Sequence, residues 1–159
     1  MTQEEKSLLL KDLSARQPYG VFCSMGLDYP LPLQRLFVDK LDGILLDFYE
    51  DGKDYQVYLS EVKPYLRPMS SMAEKEILEL YKITYDTWYS DSLYYKNEEW
   101  INFRDSIKNN SLCFKTCIWL SDINKVIDWL NAHHFDYREL IEKGLALEAP
   151  EGMYNIKEK

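Results

Sequence analysis

The chain predicts an α+β fold: an N-terminal helix, a small antiparallel β-sheet or barrel, and a helical C-terminal half packed on it. Three observations carry that prediction. Capping-box spacings open the chain and recur at residue 71. Short alternating runs separated by turn residues fill the stretch from 19 to 66. Apolar residues then recur at helical spacing from 77 onward.

The first helix starts at Thr2 and Glu5, a capping-box pair, and carries Leu9, Leu10 and Leu13 as its apolar stripe. It should stop before Pro18, because a proline pushes its predecessor out of the helical region. Tyr19 to Cys23 is a short strand candidate, and Gly26 to Pro32 is a loop with two prolines. Leu33 to Val38 resumes the β pattern, and Asp42-Gly43 marks a turn. Ile44 to Tyr49 is a strong strand, followed by the polar turn Glu50-Asp51-Gly52-Lys53. Tyr55, Val57 and Leu59 then alternate with Gln56, Tyr58 and Ser60. Pro64 and Pro68 end the β region.

Ser71 and Glu74 are spaced as a second capping box, ahead of Ile77, Leu80, Tyr81, Thr84 and Trp88 on one helix face. Trp100, Phe103 and Ile107 mark a further helix. Residues 113–120 fit either a strand or the start of the next helix. Ser121 is the expected cap for Ile123, Val126, Ile127 and Leu130. A short helix follows, capped by Asp136 with Glu139 and ended by Gly144. Leu145 to Leu147 reads as extended, and the polar stretch from Glu148 as a loosely held tail. The organisation expected is a β-rich module over 1–69, a helical segment over 70–147 sharing its core, and a tail over 148–159.

Composition narrows the function classes. Apolar residues make up 46% and charged residues 29%, so the chain can bury a core. No apolar run approaches the roughly 18 residues of a membrane span. The acidic N-terminus does not resemble a secretory signal, and three cysteines do not make a disulfide framework, so a cytoplasmic location is expected. The net charge of −8 argues against general affinity for nucleic acid. Half of that charge lies in residues 39–54, where six carboxylates face two lysines. Solvated turns between strands explain such a cluster. A basic partner, a divalent cation or DNA mimicry are the sharper readings.

Two phrases, Lys63-Pro64-Tyr65-Leu66-Arg67-Pro68-Met69-Ser70-Ser71-Met72 and the stretch from Phe135 to Tyr154, together with Met1 to Lys6 and Pro18 to Val21, resemble a family of small uncharacterised proteins of gut anaerobic bacteria and their phages. The resemblance covers about a third of the chain. It implies a β-rich N-terminal half and a link to mobile elements. It carries no activity, cofactor or catalytic residue.

The one pattern suggestive of chemistry is Glu61-Val62-Lys63 with Asp47 and Asp54 upstream. Metal-dependent nucleases use two carboxylates for Mg²⁺ and a lysine beside the attacking water. Strand alternation would place Glu61 and Lys63 on one face. A short Glu-x-Lys is common in an acidic chain, and exposed strand-end charges are the simpler explanation. His133, His134 and Asp136 suggest a metal site less well, since adjacent helical side chains point about 100° apart. Capping and packing at a helix C-terminus account for them. Cys23, Cys113 and Cys117 read as small buried hydrophobes. No metal or cofactor is expected.

Aromatic content is the stronger clue. The chain has 13 Tyr and 4 Trp, and Tyr81, Tyr85, Trp88, Tyr89, Tyr94 and Tyr95 crowd one region. Tyr81 and Trp88 suit the core. Tyr89, Tyr94 and Tyr95 are the expected interaction residues, since tyrosine gives large contact area at low entropic cost. The function expected is therefore a non-enzymatic interaction or accessory protein with an unidentified protein partner. A Mg²⁺-dependent nuclease using Asp47, Asp54, Glu61 and Lys63, and an acidic DNA-mimic inhibitor, are the alternatives. Oligomeric state is left open.

Overall fold

A computed structural model describes residues 1–39, 43–85, 98–109 and 120–154, and the fold is α+β. The chain forms two compact units, one of Met1–Leu66 with Glu139–Lys159 and one of Arg67–Arg138.

The first unit begins with helix α1 (Gln3–Arg16). The Glu5 N–H donates to the Thr2 hydroxyl at 3.2 Å, and the Thr2 N–H donates to the Glu5 carboxylate at 2.6 Å. Both sides of the expected capping box are thus formed. Pro18 sits in a 3₁₀ turn over Gln17–Tyr19, which Gly20 ends at φ +76°. The strand expected from Tyr19 therefore starts only at Phe22, as β1 (Phe22–Ser24).

Four strands follow: β2 (Leu31–Asp39), β3 (Gly43–Glu50), β4 (Lys53–Tyr58) and β5 (Lys63–Leu66). With β6 (Leu147–Glu148) they form a curled six-stranded sheet in the order β4-β3-β2-β1-β5-β6. Leu31 and Pro32, expected in a loop, pair with Cys23 and Phe22. The first five strands pair antiparallel, as expected, whereas β6 lies parallel to β5 and makes the sheet mixed.

A bulge in β2 decides which side chains face inward. The register slips between Leu33 and Arg35, leaving Gln34 as the extra residue. Its carbonyl accepts the Gln17 side-chain amide at 3.0 Å. Leu31 and Leu33 face the core before the bulge. Beyond it the alternation resumes one residue out of phase, so Leu36 faces in while Arg35 and Phe37 face out. The inner face packs Leu31, Leu33, Leu46 and Phe48 with Leu9 and Leu13 of α1, and Val21, Cys23, Leu59 and Val62 join the cluster. Asp12 and Arg16 share the buried face of α1 and pair through two hydrogen bonds of 2.8 and 3.0 Å, with both side chains at 0% exposure.

The C-terminal segment returns to this sheet. The Leu145 N–H donates to the Leu140 carbonyl and the Gly144 N–H to that of Ile141. With Gly144 at φ +69°, this is the Schellman closure that Gly144 announces, and Leu140 and Leu145 pack beside Leu66 and Ala146. The expected Asp136–Glu139 capping box does not form. The Asp136 N–H donates to the Arg67 carbonyl, Glu139 takes a left-handed φ of +59°, and its carboxylate accepts the Lys143 ammonium at 2.8 Å. Beyond β6 the segment read as loose is fastened at Tyr154. Its hydroxyl accepts the Phe22 N–H at 3.1 Å and donates to the Tyr65 carbonyl at 2.8 Å.

The second unit contains α2 (Glu74–Tyr85), α3 (Glu98–Lys108) and α4 (Leu120–Ala132). The expected faces are buried: Ile77, Leu80 and Tyr81 from α2, then Trp100, Phe103 and Ile107 from α3. Tyr81 meets Trp100 and Phe103 edge to face at 5.4 and 5.3 Å. Val126, Trp129 and Leu130 carry the buried face of α4, while Ile123 is exposed. Two caps differ from expectation. Ser121 lies inside α4, and Ser71 donates to the Pro68 carbonyl while Glu76 accepts the Ala73 N–H at 2.8 Å. Proline at 68 sets a 3₁₀ turn over Met69–Ser71 and so delays the helix to Glu74. Trp88 and residues 113–119 lie outside the described residues.

Candidate functional site

Among the described residues, the outer face of β2, β3 and β4 carries exposed rings beside a polar row. Its rows follow from the register. Phe37, Leu45 and Tyr58 stand opposite one another across three strands, then Arg35, Asp47 and Gln56, then Tyr49 and Asp54. Phe37 is 36% exposed, Tyr58 46% and Tyr49 54%, whereas Leu45, between the first two, is 7% exposed. Two rings flanking a covered leucine form an apolar row on an otherwise solvated sheet face.

The polar row is internally matched. The Arg35 guanidinium lies 3.0 Å from one oxygen of Asp47, and the Gln56 amide donates to the other at 3.1 Å. Asp54 is exposed. The hairpin between β3 and β4 adds Glu50 and Asp51. Asp51 and Gly52 both have positive φ, +48° and +81°, as a two-residue type I′ turn requires. Glu50 bonds the Tyr29 hydroxyl. That bond first, then partial burial and the nearby charges, push Tyr29 up to about 12. At the other end of the strands, Gln3, Lys6, Gly43, Ile44, Tyr58, Leu59 and Ser60 line a hollow of 310 Å³.

The four residues of the nuclease pattern are not brought together. Asp47 and Asp54 share the outer face, but both oxygens of Asp47 are engaged. Glu61 sits in a 3₁₀ turn (Leu59–Glu61) off the strand, where its carboxylate accepts the Tyr58 N–H at 3.1 Å. Lys63 is exposed on β5, which β2 and β1 separate from β3. Three strand spacings put it ~14 Å away along the sheet. The alternation that would align Glu61 with Lys63 fails because the turn interrupts the strand. Among the described residues no group of three or more His, Cys, Asp or Glu could hold a metal ion. The carboxylates of 43–54 also divide between the sheet faces, since the register puts Asp47 and Asp54 outside and Glu50 on the side of Leu46 and Phe48.

His133 and His134 have packing roles. The His133 ring stacks on Trp129 at 3.9 Å and its Nδ1 lies 2.8 Å from the Trp129 carbonyl. His134 closes α4 at φ +58°, with the Phe135 N–H donating to the Leu130 carbonyl. Nearby, Arg67 holds Glu76 through bonds of 2.8 and 2.9 Å and lies 4.1 Å over the Phe135 ring. Burial alone would raise the Glu76 carboxyl. The Arg67 and Ala73 hydrogen bonds and the Arg67 and His133 charges outweigh it and hold the group below the ordinary carboxylate range. This cluster ties residues 67–76 to the end of α4.

Cys23 is buried, as expected, and burial foremost, with Asp12 behind it, pushes its thiol far up. Tyr89, Tyr94 and Tyr95, the expected interaction residues, lie outside the described residues, as do Cys113 and Cys117. The aromatic surface that is described, Phe37, Tyr49 and Tyr58, was partly signalled by the alternation of Tyr55, Val57 and Leu59 with Gln56, Tyr58 and Ser60. Phe37 carried no such signal, because the bulge at Gln34 reverses its face.

No described helix is long and apolar enough to cross a membrane. No protein-family model, no curated protein and no solved structure matches this chain.

Proposed function

We propose that this chain is a non-enzymatic interaction protein that binds a protein partner through the outer face of β2–β4. One observation carries the reading: Phe37, Tyr49 and Tyr58 stand exposed around the matched Arg35–Asp47–Gln56 row. Aromatic anchors within a polar surround are the composition of protein interfaces, and a matched polar row loses little when covered. The link to mobile elements that the family resemblance implies belongs to the same proposal.

The test compares capture from host lysate by the wild-type protein and by Tyr49→Ser/Tyr58→Ser. Both side chains are about half exposed, so the substitutions leave the core intact. A protein retained in stoichiometric amount by the wild type and lost with the variant supports the reading. Equal retention by both, or none by either, refutes it.

A further inference from the structure

The sheet ends on β4, and no described strand pairs with its outer edge. Its backbone can be assigned group by group. A two-residue hairpin makes Glu50 and Lys53 a hydrogen-bonded pair, and such pairs alternate along an antiparallel ladder. Lys53, Tyr55 and Val57 therefore direct their N–H and C=O groups to β3. Asp54, Gln56 and Tyr58 direct theirs outward. The Glu61 carboxylate takes the Tyr58 N–H, as this assignment requires. Among the described residues, the N–H and C=O groups of Asp54 and Gln56 remain as an open ladder.

The side chains along this edge define what fits. Asp54, Gln56 and Tyr58 are exposed on the outer face, while Tyr55 and Val57 are half-buried on the inner side. Glu50, Asp51, Asp54 and Glu61 lie on or beside this strand, against Lys53 at the hairpin and Lys6 at the Tyr58 end, so the acidic side chains outnumber the basic ones. A second copy would bring the same acidic edge against itself, and the whole chain carries −8. The complement is a basic strand.

We infer that β4 accepts an extended peptide segment of its partner by strand addition, with Arg or Lys at alternate positions and apolar residues between them. This rests on the proposed interaction role of the β2–β4 face and names the chemistry of what binds there. Backbone bonds to Asp54 and Gln56 supply the register. The basic side chains fall on the outer face beside Asp54 and the Tyr58 ring, where a guanidinium gains both an ion pair and a cation–π contact. The apolar residues between them cover Tyr55 and Val57.

The probe is a labelled peptide, Gly-Ser-Arg-Val-Arg-Val-Arg-Val-Ser-Gly, with a counterpart carrying Glu for Arg. Binding is followed by fluorescence anisotropy, and amide exchange is read at Asp54 and Gln56. The expected result is saturable binding of the Arg peptide only, with slowed exchange at both amides. Asp54→Lys should weaken it by about tenfold or more. Gln56→Pro should abolish it, since the lost N–H points outward and serves no ladder bond to β3. Circular dichroism checks the fold, and if the proline variant does not fold, Asp54→Lys and the exchange data decide. Absence of saturable binding, equal binding of the Glu peptide, or unchanged exchange at the two amides overturns the inference. A dimer in sedimentation that Gln56→Pro dissolves would also overturn it, assigning the edge to a second copy. If the peptide fails while Tyr49→Ser/Tyr58→Ser still loses the captured partner, only strand addition falls. If that variant keeps the partner, the face reading falls with it.

Discussion

The Tyr154 hydroxyl is the most exposing place to test the account of the first unit. It stands where β1 and β5 part. Cys23 pairs with Pro64 and Ser24 with Lys63, so Phe22 and Tyr65 are next in register. Instead of bonding each other, they share the hydroxyl, through bonds of 3.1 and 2.8 Å. Tyr154→Phe keeps the ring against Phe22, at a centroid distance of 5.8 Å, and removes only the bridge. Two lost hydrogen bonds at about 1 kcal/mol each predict a loss of about 2 kcal/mol. Urea unfolding of both proteins at neutral pH measures it, and amide exchange at Phe22 should quicken by a comparable factor. The pH dependence is a second check. Burial foremost pushes the Tyr154 phenol well above its ordinary value. A phenol raised on folding contributes stability that is complete below its unfolded value, near 10, and is lost as pH rises beyond it. The difference between wild type and Tyr154→Phe should therefore shrink above about pH 10. A loss under about 0.5 kcal/mol with unchanged Phe22 exchange would show that the strands close without the bridge and refute the reasoning.

Three further outcomes follow from the geometry. Asp12→Ala removes the carboxylate that pairs with a fully buried Arg16 and should cost about 3–5 kcal/mol in urea unfolding, whereas Asp12→Leu with Arg16→Met should recover most of it. Glu76→Gln loses a half-buried two-bond pair with Arg67 and should cost about 1.5–3 kcal/mol at pH 7. Because the Glu76 carboxyl is lowered on folding, that difference holds above its unfolded value and fades as pH falls below about 4.3, which unfolding curves across acid pH would show. Gly144→Ala meets no atom within 4 Å, so its cost is that of a left-handed backbone alone, about 1–2 kcal/mol in thermal unfolding.

The legible parts of the fold are those decided within a few residues. Thr2 with Glu5, Asp51 with Gly52, and Gly144 each state a local backbone geometry that only neighbours can satisfy. The periodicity of Ile77, Leu80 and Tyr81, and of Trp100, Phe103 and Ile107, reports a buried helix face directly. Misreadings arise where a distant partner takes a group that local grammar had assigned. Asp136 fits a helix cap by spacing, yet its N–H goes to the Arg67 carbonyl, nearly seventy positions away. Ser71 with Glu74 has cap spacing too, yet Ser71 donates to the Pro68 carbonyl and the helix starts only at Glu74. The site was legible by half: alternation along β4 turns Tyr58 outward, but the bulge at Gln34 that turns Phe37 out depends on the register with β3.

The two ends of the sheet are protected by different physics, and the difference bears on function. An open strand edge invites pairing with any extended chain, so it must be blunted. At the β6 end the strand is two residues long. Ala149 directs its N–H inward to the Leu66 carbonyl of β5, and Pro150 has no N–H to offer. That edge is blunted by its shortness and by a proline. The β4 end is six residues long with its Asp54 and Gln56 backbone groups directed outward, and among the described residues it is acidic side chains that guard it. Charge repels selectively. It holds off acidic chains, including copies of this one, and attracts a basic strand. Protection by charge therefore costs the edge nothing in its ability to pair with the right partner, whereas shortness or proline would have removed that ability. If β4 takes a strand of its partner, the concentration of acidic residues at the β3–β4 hairpin has a physical role beside solubility: it makes this long edge discriminating.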